Sequence, residues 1–119
     1  PTPAPTPSPS VTTYTVTVAS YYGSNYFYID GSRAPTLSLT EGQTYKFDQS
    51  DSTNSNHPLR FSTTANGTHG GGTEYTTGVT TSGTPGSSGA YTQIEVASGA
   101  PTLYYYCTNH SGMGGQINT

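Results

Sequence analysis

The chain has 119 residues, three basic and six acidic, for a formal net charge of −3. That length suits one domain, and so few cations exclude the basic patch that nucleic-acid binding needs. A single cysteine excludes an intrachain disulfide, and no apolar run is long enough for a membrane span.

Residues 1–10 contain only Pro, Thr, Ser and Ala, with proline at alternate positions. They read as an extended polyproline linker or leader, a segment through which copies could also assemble. Starting at Pro1 without methionine, the chain reads as processed from something longer. Residues 11–119 then form the folded domain.

Residues 11–19 alternate, with Tyr14, Val16 and Val18 on one face and Thr13, Thr15 and Thr17 on the other. This predicts a half-buried strand. A second strand follows at 26–29, burying Phe27 and Ile29, and Asp30-Gly31 turns. Segments 36–40 and 44–48 carry Leu37/Leu39 and Tyr45/Phe47, and the turn between them makes a hairpin or a sheet-to-sheet corner. A polar loop at 49–56 leads to His57-Pro58, after which Leu59-Arg60-Phe61 resumes strand patterning. Residues 62–90 are rich in Gly, Ser and Thr, with one short strand expected at 73–79. A loop that long without structure is uncommon. Strands at 91–96, 103–107 and 116–119 complete the chain, and no segment has the period of an amphipathic helix. The pattern predicts an all-β, antiparallel Greek-key sandwich or barrel of about seven to eight strands.

The only cysteine and the only methionine fall within seven residues of each other, with a histidine between: Cys107, His110, Met113. Singly, a cysteine or a methionine is ordinary core filler. Together with His57 about fifty residues upstream, they make two imidazoles, a thiolate and a weak axial thioether. That donor set suits an electron-transfer copper ion. Zinc accepts the two histidines and the cysteine but leaves Met113 without a purpose. His69 reads as a solvated loop residue. Glu41, Asp48, Asp51 and Glu74 read as solvated charges, and with no nucleophile or acid–base pair among them no enzyme is expected. Asn66-Gly67-Thr68 and Asn109-His110-Ser111 fit the glycosylation sequon, which matters only in a eukaryotic secretory host.

On these residues the chain resembles the cupredoxins, the blue-copper domains of plastocyanin and amicyanin type. Tyr105-Tyr106-Cys107, His110, Met113 and Gly115-Gln116-Ile117 match that family's ligand loop in order, and the short spacing is most similar to amicyanin. The 37–47 turn and the polar loop into Asn56-His57 match its upstream half. The resemblance implies one mononuclear copper held by His57, Cys107, His110 and Met113, electron transfer to a redox partner or within a larger assembly, an extracytoplasmic location, and His110 as electron port. One departure stands out. The family has Asn after its upstream histidine, whose N–H donates to the cysteine sulfur, but Pro58 has no N–H. Where plastocyanin and amicyanin have Pro before the second histidine, this chain has Asn109. The expectation is therefore that the Asn109 N–H points at the sulfur and that its side chain ties the two loops together. A different class of function also fits. Residues 57–62 and 104–115 are similar to modules of marine bacterial and phage structural proteins, where such a fold would serve as a building block with copper as a staple or absent.

Overall fold

Alternation in the sequence becomes alternation in burial. The computed structural model describes residues 11–119; the leader at 1–10, and the linker reading with it, lies outside the described residues. Eleven strands follow in order: β1 Val11–Tyr21, β2 Ser24–Ile29, β3 Ser32–Arg33, β4 Leu37–Ser38, β5 Thr44–Asp48, β6 Leu59–Ser62, β7 Glu74–Tyr75, β8 Val79–Ser82, β9 Tyr91–Glu95, β10 Leu103–Cys107 and β11 Gly115–Asn118. They form a six-stranded sheet, β3-β2-β1-β5-β9-β8, and a five-stranded sheet, β4-β11-β10-β6-β7. Both sheets are open, so the architecture is a sandwich and not a closed barrel.

The expectation of seven or eight antiparallel strands changes in two respects. The additional strands are mostly two-residue pairings, and the 62–90 region supplies two strands, one to each sheet. Both sheets are also mixed. β1 is long enough to change partners: Val11 to Thr15 pair parallel with β5, and Val16 to Tyr21 pair antiparallel with β2. β11 likewise pairs parallel with β4. Because β4 and β5 lie in different sheets, the turn between them is a corner and not a hairpin. Its geometry is fixed by the Thr40 N–H, which donates to the Tyr45 hydroxyl at 2.8 Å.

The core lies between the sheets, built from the inward residues Val16, Phe27, Phe47, Phe61, Ile94, Leu103 and Ile117, all fully buried. Phe47 of β5 meets Phe61 of β6 edge-on across the sandwich, with ring centroids 5.4 Å apart. Each such side chain contributes about 1.5–3 kcal/mol through burial, so these few aromatics and aliphatics set the register that places everything else.

The strand directions give the sandwich two distinct poles. β5 runs from Thr44 to Asp48 and hands the chain to the loop that ends at His57, and β10 runs up to Cys107, which pairs with Leu59. Val11 pairs with Thr44 at the other end, where the Leu39 N–H also bonds the Asn118 carbonyl. No helix among the described residues is long and apolar enough to cross a membrane.

Candidate metal centre

His57 sits at the end of a loop held by two buried amides. Gln49 and Asn54 are 1% and 0% exposed. The Gln49 side chain donates to the His57 carbonyl (2.8 Å) and to Asn54 Oδ1 (3.2 Å), and accepts from the Leu59 N–H (3.0 Å). Asn54 donates to the Val16 carbonyl (2.7 Å) and the Asp51 carbonyl (3.1 Å). Next to it, the Val18 N–H donates to Thr53 Oγ1 at 2.9 Å. Asp51 caps the one-turn helix Ser52–Asn54 by accepting from the Thr53 N–H. Asn56 takes a left-handed conformation (φ 67°), tolerable for Asn, and turns the chain into His57. The second half of β1 is thus the wall on which the upstream loop hangs.

The downstream loop starts where β10 ends. The Thr108 N–H bonds the Pro58 carbonyl at 3.1 Å, extending the β6–β10 pairing by one step and laying the two loops side by side. Asn109 Nδ2 donates to the Asn56 carbonyl at 3.0 Å, tying them together. The backbone N–H groups of Asn109 and His110 act on the Cys107 sulfur, each lowering its thiol pKa. Pro58 has no N–H to offer the sulfur, and the influence of backbone N–H groups on it comes from the downstream loop. Met113, 1% exposed, packs in the core, and its carbonyl accepts from the Phe27 N–H at 3.0 Å. The β1–β2 hairpin therefore anchors both loops.

His57, Cys107 and His110 converge. Donor atoms of His57, Cys107 and His110 lie within 4.8 Å of one another. His57 Nδ1 is 3.7 Å and His110 Nδ1 3.6 Å from Cys107 Sγ. These lengths test the fit of a metal. With metal–sulfur and metal–nitrogen bonds of about 2.3 and about 2.0 Å, a tetrahedral angle separates S and N by about 3.5 Å and a trigonal one by about 3.7 Å. The observed spacings fall in that range. The two imidazole rings stand 4.6 Å apart at 43°, with Nδ1 of each facing the sulfur.

Electrostatics prepare the donors differently. Burial, and then the neighbouring His110 charge, push the His57 pKa down, which favours the neutral imidazole a metal requires. Burial pushes the Cys107 thiol up, opposed by the N–H groups of Asn109 and His110. A thiolate here therefore needs a cation beside it, and proton release accompanies metal binding. His110 is the exposed member of the trio.

Other sequence expectations fall out separately. The four carboxylates form no cluster: Asp51 caps its helix, Asp48 accepts from the Ser50 N–H, and Glu74 lies 3.8 Å from Arg60. His69 is exposed but is more than a solvated side chain, since its Nε2 lies 2.8 Å from the Cys107 carbonyl. Gln49 and Asn54 escape a reading of the sequence, and Asn66 enters it only as part of a glycosylation sequon. The Asn66-Gly67 dipeptide has the composition of a turn, a signal that could have pointed to it.

The chain matches no family model and no curated protein. Fold and geometry alone therefore define its class: a small β-sandwich whose His-Cys-His group can hold a metal ion, compatible with a cupredoxin-like site.

Proposed function

We propose that this domain is an extracytoplasmic copper protein that carries single electrons, with His57, Cys107 and His110 as principal ligands and Met113 as the weak axial one. The observation that carries the reading is the pair of sulfur–nitrogen spacings, 3.6 and 3.7 Å. Copper, when bound, would cycle between its +1 and +2 states. The residues supply the rest. Cys107 gives a thiolate whose charge is moderated by the N–H groups of Asn109 and His110. The buried amides Gln49 and Asn54 hold His57 in place, so little rearrangement accompanies a change of oxidation state. Burial of Cys107 and Met113 keeps water from the sulfur ligands, while His110 opens to solvent and provides the route for the electron.

A second reading, a structural module stapled by metal, is favoured by one feature: His57 and Cys107 are fifty residues apart, so a metal joining them closes a long loop. Copper(II) titration separates the possibilities. An intense visible thiolate-to-copper band with fast reduction and reoxidation supports the electron carrier. The same band with slow exchange supports the staple. No band, with Cys107 still reactive to thiol reagents, refutes copper binding.

A further inference from the structure

The one-turn helix Gly67–Gly70 and the residue before it, Asn66, lie against the ligand loop from outside. Asn66 reaches both residues between His110 and Met113. Its Nδ2 donates to Ser111 Oγ at 2.7 Å, and its Oδ1 accepts from the Gly112 N–H at 2.8 Å. Three residues on, His69 Nε2 lies 2.8 Å from the Cys107 carbonyl. A carbonyl only accepts, so Nε2 carries the proton. The His69 ring also stands edge-on to Tyr106, with centroids 6.4 Å apart. The segment is seated by contact: a Cβ on Gly67 would lie 2.5 Å from the Tyr106 ring.

Core burial and the Phe27 N–H hold Met113 itself, but Ser111 and Gly112 ahead of it are exposed and lie outside that packing. A hollow of about 230 Å³ lies between Ala65 and Asn66 on one side and Gly112, Gly114 and Gly115 on the other. Glycines flank Met113: Gly114 is seated tightly against the Tyr105 carbonyl, whereas Gly112 has open space around its Cα. The Asn66 amide bridges the gap to Ser111 and Gly112, the two residues ahead of Met113.

We propose that Asn66 is a positioning residue for Met113: its amide clasps Ser111 and Gly112 and holds the axial position before any metal arrives, while His69 holds the Cys107 end of the same loop. The axial consequence rests on the copper reading; the clasp itself does not.

Asn66→Gly is the discriminating variant, because glycine keeps the left-handed backbone (φ 64°) that Asn66 adopts while deleting the clasp. In metal-free protein, amide exchange at Gly112 should accelerate about tenfold or more, as expected for loss of a hydrogen bond, while core amides of β10 stay unchanged. Asn66→Asp keeps acceptors for the Gly112 N–H and the Ser111 hydroxyl and should restore protection to within about threefold of native. Unchanged Gly112 exchange in the glycine variant, or no recovery in the aspartate variant, overturns the clasp. In copper-loaded protein, Asn66→Gly should shift the ratio of the charge-transfer bands and the electron paramagnetic resonance signature. A native spectrum overturns the axial role. Failure of the unaltered protein to bind copper refutes the proposed function and the axial role, and leaves the exchange result to decide the clasp.

Discussion

Replacing Asn54 by leucine tests whether buried polar geometry, not packing, holds the upstream ligand. The two side chains have the same number of heavy atoms and a similar shape, so the site is neither emptied nor crowded. What changes is pairing. The Val16 carbonyl loses its donor at 2.7 Å, and Gln49 Nε2 loses one of two acceptors. The Asp51 carbonyl keeps the backbone N–H of residue 54. Two buried groups left short at about 1–3 kcal/mol each, less about 1 kcal/mol returned by burying a more apolar side chain, give a net loss near 3 kcal/mol. With a urea dependence of about 1–3 kcal/mol per molar, the unfolding midpoint of the metal-free protein should fall by about 1–3 M. Asn109→Ala, which removes one exposed bond to the Asn56 carbonyl, should lose less than about 1 kcal/mol. A leucine variant that unfolds within about 0.3 M of native would refute the reasoning. Because Gln49 and Asn54 orient His57 from behind, the leucine variant should also bind copper about 10–100-fold more weakly.

Three other outcomes are expected. Copper at 100 times its dissociation constant should stabilise the protein by about 2.7 kcal/mol, raising the melting temperature by about 10 °C; Cys107→Ser should lose both that rise and the visible band while keeping a native far-ultraviolet spectrum. The metal-free protein should lose stability on acidification, because the folded pKa of His57 lies below its unfolded value of about 6.5. The unfolded chain then binds more protons, so stability is full above about pH 6.5, falls as pH drops towards the folded value, and levels off below it. Urea midpoints should follow that curve, and His57→Gln should flatten it. Gly67→Ala puts a methyl 2.5 Å from the Tyr106 ring on a backbone at φ 54°, and should lose about 2–4 kcal/mol in thermal unfolding; Gly71→Ala, with open space around its Cβ, should lose only about 1–2 kcal/mol, from its left-handed backbone.

Some of this molecule is legible in the amino acids. β5 and β10 match the expected 44–48 and 103–107 segments residue for residue: in β5 Tyr45 and Phe47 alternate with polar residues, and in β10 Leu103, Tyr105 and Cys107 face inward as expected. The candidate metal-holding trio was legible for a different reason: Cys107 and His110 are rare donor types at short spacing, and His57 follows a polar loop fifty residues upstream. Partner choice was not. Nothing in residues 11–21 says that the strand changes neighbours at Val16, since that depends on where β2 and β5 end. Gln49 looked like loop polarity, yet it is buried and fully engaged. Its meaning lies in atoms from Asn54, His57 and Leu59, which no local pattern contains. Tyr106 looked outward-facing by alternation, and is buried only because the segment around Gly67 covers it.

The two poles of the sandwich have a consequence for attachment. Val11 and Asn118 both sit at the pole away from Cys107 and His110, one paired with Thr44 and the other bonded to Leu39. A tether joined at either point would therefore pull on the blunt end and leave the histidine face pointing outward. Copies fixed to a common support would present that face like bristles, with the orientation of every copy decided by chain direction alone.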